Sequence, residues 1–153
     1  MSLPAIIWEV FLNLVSYTNP MKNLFLSIVA VLTVSSCTTL SNVSKIGSKQ
    51  VSIANTQWTL AETVKGKTPT LIIENNKLSG NAGCNNYFGT LMLDTTAGNF
   101  SASGIGATRM ACENMETENN FLSMLQEANK YVVSGNTLEL YKNNLLLMKL
   151  NKL

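Results

Sequence analysis

From Thr56 to Leu150 the chain is a succession of short runs in which apolar and polar residues alternate, and each run stops at Asn, Gly or Ser. Trp58 and Leu60 share one face of the first run; Leu71 and Ile73 share one face of the next, with Asn75-Asn76 behind them. Tyr87, Gly89, Leu91 and Leu93 alternate with Phe88, Thr90 and Met92, and Leu138 and Leu140 alternate with Glu139 and Tyr141. Successive side chains of a strand point to opposite faces, so a period of two bounded by turn residues is the signature of strands joined by hairpins. The pattern predicts about seven or eight strands, with tight turns at Ser134-Gly135-Asn136 and Lys142-Asn143-Asn144.

One segment has another period. Thr117 to Lys130 carries Phe121, Leu122, Leu125 and Ala128 at helical spacing, flanked by Met124. Glu116 and Glu118 stand near its start and Lys130 at its end, as the helix dipole favours. The fold class is therefore α+β, a mostly antiparallel sheet with one amphipathic helix. That helix can bury its stripe only against a sheet face or across a barrel mouth.

The N-terminal part follows a different logic. Met21-Lys22-Asn23 is a short positive start, Leu24 to Val34 is almost purely apolar, and small residues lead to Cys37. This is the layout of a secretory signal, with an apolar run too short for a membrane span of about 20 residues. Val34-Ser35-Ser36-Cys37 resembles the lipobox of bacterial lipoproteins, in which the cysteine is acylated and becomes the new N-terminus. The alternative is a plain secretory signal with an incidental cysteine. We expect residues 1–36 to be removed, residues 37–53 to form the lipidated N-terminus and a flexible tether, and residues 54–153 to form the domain. Residues 1–20 precede a serviceable start at Met21 and read as an upstream start assigned in error; the alternative is a second membrane segment, which Glu9 disfavours.

Charge and composition exclude several functions. The formal net charge is +2, with no histidine. There is no basic footprint for nucleic acid, and the commonest general base and metal ligand is missing. No Walker-type loop, dinucleotide fingerprint or nucleophile elbow occurs. Gly104-Ile105-Gly106 reads as a turn. No metal or cofactor is expected.

With Cys37 assigned to the anchor, Cys84 and Cys112 remain as an even pair in an exported chain, where disulfides persist. A bridge is the first reading; two buried free thiols, or a reactive or metal-binding pair, are the alternatives. Gly83 and Gly89 suggest tight backbone passages, and Asn85-Asn86 suits a turn. Arg109 is the only arginine. It reads as a surface or inter-strand ion pair with Glu113 or Glu116, ahead of a fork for a carboxylate or phosphate.

Trp58-Thr59-Leu60, Leu78 to Gly89 (LSGNAGCNNYFG), Thr108-Arg109-Met110-Ala111-Cys112, Glu118 to Leu125 and Leu138-Glu139-Leu140 occur in one order across Thr56 to Leu150. In that order they resemble the META domain, also called the HslJ-like domain. Trp58, Gly83, Asn85, Tyr87, Gly89, Thr108, Arg109 and Met110 carry the resemblance. It implies a sheet curved into a partly open barrel with one packed helix. Members are often bacterial secreted proteins or lipoproteins, associated with heat shock and novobiocin tolerance, and the fold is similar to that of a lipid-binding pilot lipoprotein of type III secretion.

The resulting expectation is a monomeric, non-enzymatic envelope lipoprotein. It would be anchored to a membrane (the outer one in a Gram-negative cell), act in stress tolerance or envelope integrity, and engage an envelope protein partner. A carrier of a small apolar or lipid ligand is the alternative, and a thiol oxidoreductase using Cys84 and Cys112 is a second.

Overall fold

Eight antiparallel strands and one helix account for the alternating runs. The structure, a computed structural model, describes residues 45–113 and 115–153. The signal segment, Cys37 and the first part of the expected tether lie outside the described residues. The elements are β1 (Thr56–Leu60), β2 (Thr70–Glu74), β3 (Lys77–Asn81), β4 (Asn86–Asp94), β5 (Asn99–Ala107), α1 (Met115–Glu127), β6 (Lys130–Ser134), β7 (Thr137–Lys142) and β8 (Leu145–Lys152).

Each strand pairs with its neighbour in sequence, and β8 returns to β1 through Trp58↔Lys152 and Leu60↔Leu150. The barrel is therefore closed, where the resemblance implied a partly open one. The reason lies in β1, which takes β2 on one side and β8 on the other and so has no free edge.

Closure is uneven. β5 and β6 share a single register pair, Asn99↔Lys130. Past that point β5 stays paired with β4 but has no partner in β6, and α1 packs against it. β6 runs the opposite way and meets the segment before β1. There the Val133 N–H donates to Gln50 Oε1 (3.1 Å), the Gln50 N–H donates to Thr95 O (2.7 Å), and the Tyr131 hydroxyl donates to Val51 O (3.1 Å). A side-chain amide thus takes the place of a strand partner. Gln50 and Ile53, which belong to the span read as a tether, are buried.

The expected faces are the observed ones. Trp58, Leu60, Leu71, Ile73, Tyr87, Leu91, Leu138 and Leu140 point inward and are buried, whereas Phe88 and Met92 are exposed. The turns fall at Asn75, Asn143 and Gly135, all at positive φ, which Asn and Gly tolerate. The helix starts two residues earlier than its stripe suggested, at Met115, and lays Phe121 and Leu125 into the core. Gly104-Ile105-Gly106 is no turn. It lies within β5, where the register shifts between Phe88 and Thr90, and Gly104 at φ +60° takes up the extra residue of a bulge.

Candidate functional site

Of the residues singled out from sequence, Gly83, Cys84, Asn85, Thr108, Arg109, Met110 and Cys112 meet at one end of the barrel, where the β3–β4 turn, the end of β5 and the start of α1 converge, whereas Trp58 and Gly89 lie outside that junction. Asn85 organises that meeting and is fully buried. Its Oδ1 accepts from Thr108 Oγ1 (2.8 Å) and from the Met110 N–H (2.8 Å), while its Nδ2 donates to Met110 O (3.0 Å). The Asn85 N–H and Nδ2 both donate to Glu118 Oε2, at 2.8 and 3.1 Å. One carboxamide therefore ties two loops and a helix together. Every buried side-chain polar atom of the described residues has a partner, as a low-dielectric interior requires.

The other motif residues fall into place around it. Thr108 Oγ1 also accepts from the Asn86 N–H (3.2 Å), and the Thr108 N–H donates to Asn86 O (3.0 Å). Gly83 sits at φ +110°, and a Cβ there would lie 3.2 Å from Thr117 Cγ2, so a glycine lets the turn touch the helix. Gly89 faces the β5 bulge, where a Cβ would approach Ser103 O to 3.1 Å. Tyr87 donates to Thr70 O (2.8 Å) and packs edge-on against Phe121, ring centroids 5.8 Å apart. Burial pushes the Tyr87 hydroxyl well above its ordinary pKa. Trp58 is a core residue whose Nε1 donates to Thr56 Oγ1 (2.7 Å).

Cys84 and Cys112 are bridged, with Cα atoms 6.1 Å apart. The bridge and Asn85 pin the same loop, Thr108 to Cys112, from both ends. Its side chains are another matter. Arg109 is exposed, and among the described residues it forms no ion pair, so the expected bridge to Glu113 or Glu116 is not made. Arg109, Glu113 and Glu116 are all exposed, where an ion pair gains little over hydration of the separate groups. Met110 is 57% exposed. Together with Ile105, Ala107 and Met115 they line an open groove of about 640 Å³.

Two polar residues of the fold were misjudged or missed from sequence. Glu118 reads as a helix-start carboxylate, yet it is buried against Asn85. Glu139 alternates with Leu138 and Leu140 and does point away from the core. It is nevertheless buried, paired with Lys149 Nζ (2.9 Å) and accepting from the Tyr141 hydroxyl (2.7 Å). Burial and that hydrogen bond push the Tyr141 hydroxyl above its ordinary pKa. Among the described residues no His, Cys, Asp and Glu side chains cluster in a way that could hold a metal.

A known family matches the chain over the barrel and its junction: the META domain aligns with residues 51–152. The chain belongs to the META-domain family. An NMR structure of a protein from Burkholderia xenovorans superposes with a TM-score of 0.58 at 20% identity, covering 78% of this chain and 94% of that one. A second NMR structure gives 0.51 at 23% identity, covering 63% and 88%. At such identities the likeness is one of fold. No curated protein matches the chain. Within this META domain the motif residues divide cleanly: Gly83, Asn85 and Thr108 build the junction, whereas Arg109 and Met110 are displayed by it.

Proposed function

We propose that this META domain is a non-enzymatic, membrane-anchored recognition module of the cell envelope, acting in envelope integrity or stress tolerance through a protein partner. The observation that carries the reading is the loop Thr108 to Cys112. Its backbone is held by a fully buried asparagine and a disulfide, yet the side chains it presents, Arg109 and Met110, are in solvent. A rigid backbone carrying an exposed Arg and Met suits recognition, because both residue types are enriched at interfaces and little order remains to be lost on binding.

Three features support the setting. The signal layout before Cys37 and its lipobox-like flanks favour export and acylation. A disulfide within the fold favours an oxidising compartment. The barrel interior is filled by Trp58, Tyr87, Phe100, Phe121 and Tyr131, each at most 2% exposed, together with buried aliphatic side chains, which argues against the carrier alternative. Cys84 and Cys112 stand 28 residues apart with no Cys-X-X-Cys spacing, which argues against a thiol oxidoreductase.

Crosslinking in intact envelopes followed by pull-down tests the reading. Wild-type protein should capture a reproducible partner, and Arg109→Ala/Met110→Ala should lose it while folding normally. Equal capture by both proteins would overturn the assignment of the loop. Failure of metabolic acyl labelling to depend on Cys37 would overturn the anchor.

A further inference from the structure

The second half of β5 has one unpaired edge. The Phe100 N–H donates to Asn129 O (3.1 Å), on the side away from β4. Main-chain groups of a strand alternate between its two sides, so Ala102 also turns its N–H and C=O away from β4, where β6 has already diverged. The bulge at Gly104 then inserts one residue, and the Thr108 N–H donates back to Asn86 O (3.0 Å). Counting back from Thr108, Ala107 and Ile105 face away from β4 as well. Among the described residues no hydrogen bond joins the main chain of Ala102, Ile105 or Ala107 to any element other than β4. A Cβ on Gly104 would meet nothing within 4 Å, so the space outside the bulge is open.

The groove of about 640 Å³ runs along the far end of this edge, with Ile105 and Ala107 on the β5 side and Met115 on the helix side, all half-buried. Arg109 and Met110 line it from the loop. Glu118 reaches it too, but its carboxylate is held by the Asn85 N–H and Nδ2. Arg109 therefore brings to the groove a positive charge that no ion pair among the described residues neutralises.

We infer that an extended segment of the partner polypeptide adds to β5 as a further strand: its main chain pairs with Ala102, Ile105 and Ala107, an apolar side chain enters between Ile105 and Met115, and a carboxylate side chain reaches Arg109. This rests on the recognition reading above and names the form and chemistry of the partner. An open strand edge is completed by another strand, whose N–H and C=O groups recur at the matching spacing, and a groove beside the edge selects alternate side chains. The unneutralised guanidinium selects the carboxylate, which it can hold with two parallel hydrogen bonds. This chain itself fits the edge less well. Ser101 to Ala107 of a second copy carries no carboxylate, and the chain ahead of Lys45 holds Glu9 alone, within the residues expected to be removed.

Panning a library of short random displayed peptides against the purified full chain tests it. Enriched peptides should carry Asp or Glu separated by one residue from a large apolar side chain, since such positions share a strand face. Synthetic versions should slow hydrogen exchange at the amides of Ala102, Ile105 and Ala107 severalfold. N-methylation of alternate peptide amides should abolish binding while methylation of the intervening ones is tolerated, the signature of strand pairing. Arg109→Ala should weaken binding about tenfold, and Arg109→Lys should recover part of the loss. A library that yields no acidic–apolar peptide, tolerance of N-methylation at every position, or unchanged exchange in β5 overturns strand addition. Protection of the same amides by self-association without peptide gives the edge to a second copy and overturns it equally. The envelope crosslinking separates the two readings: capture that depends on Arg109 and Met110, with any of these negative results, defeats this inference alone, whereas capture indifferent to both residues defeats the recognition reading along with it.

Discussion

Asn85 and Glu118 are buried against each other, the Asn85 N–H donating to Glu118 Oε2 at 2.8 Å across 33 residues of sequence. This contact joins the β3–β4 turn to the helix, and the rest of the Asn85 side chain joins both to the displayed loop. Removing a carboxamide that serves so many partners leaves several buried groups unsatisfied, each worth about 1–3 kcal/mol. Asn85→Ala should therefore destabilise the domain by about 3 kcal/mol or more in urea unfolding. Glu118→Gln keeps an acceptor for the Asn85 N–H and should cost clearly less. A stable Asn85→Ala protein would refute the junction.

The disulfide closes a loop over 28 residues of sequence, for which the chain-entropy model gives roughly 3–4 kcal/mol. Cys84→Ala/Cys112→Ala should lower the unfolding free energy by that order. In a Cys37→Ala background, unreduced and unfolded protein should show no titratable thiol. Two thiols would mean the bridge does not form.

Two glycines should respond very differently to alanine. A Cβ on Gly80 would lie 2.1 Å from Thr70 O, a backbone atom that β2 holds in place. Gly80→Ala should abolish stable folding or cost several kcal/mol. Gly135, at φ +58° with open space around it, should lose only about 1–2 kcal/mol from the left-handed backbone. Similar Tm losses for the two would contradict the packing.

Gln50→Ala should leave the Val133 N–H without its acceptor and cost about 1–2 kcal/mol. Amide exchange distinguishes this from a general loss of stability. The β6 amides near Val133 should exchange faster, while those of β3 and β4 keep their protection.

Stability should fall at alkaline pH. Tyr87, Tyr131 and Tyr141 all have raised pKa values, chiefly through burial. Above pH ~10 the unfolded chain releases phenolic protons that the folded one retains, so each tyrosine removes up to about 1.4 kcal/mol per pH unit. The stabilisation is complete below the unfolded pKa and disappears as pH rises through the folded one. At the acid end the signs reverse. Asp94 is held down by hydrogen bonds from Thr96, and Glu127 by the hydrogen bond and charge of Lys142. Their exposed contributions are lost as pH falls through the folded carboxyl values. Denaturation midpoints from pH 3 to pH 12 check both arms, and a flat alkaline arm would contradict the burial of the phenols.

Much of this architecture was legible residue by residue. Alternation placed Leu71, Ile73, Leu138 and Leu140 inward and Phe88 and Met92 outward, because a strand's faces follow from its own pleat. Asn75, Asn143 and Gly135 marked turns because few residues accept positive φ. The Gly104–Gly106 stretch misled for the same reason: a glycine at positive φ serves a bulge as well as a turn, and only the pairing partner distinguishes them.

What the sequence determined by itself, then, is everything set by neighbours a few residues apart: strand faces, turn positions, the helical stripe and the inventory of cysteines. Only the tertiary structure decided that the barrel closes through β1 and β8, that Cys84 meets Cys112, and that Glu118 is an interior partner. It also decided that Gln50 substitutes for a strand at Val133, 83 residues away. Those contacts join residues whose separation leaves no periodic trace, and they form only once the curvature of the sheet has brought them within hydrogen-bonding reach.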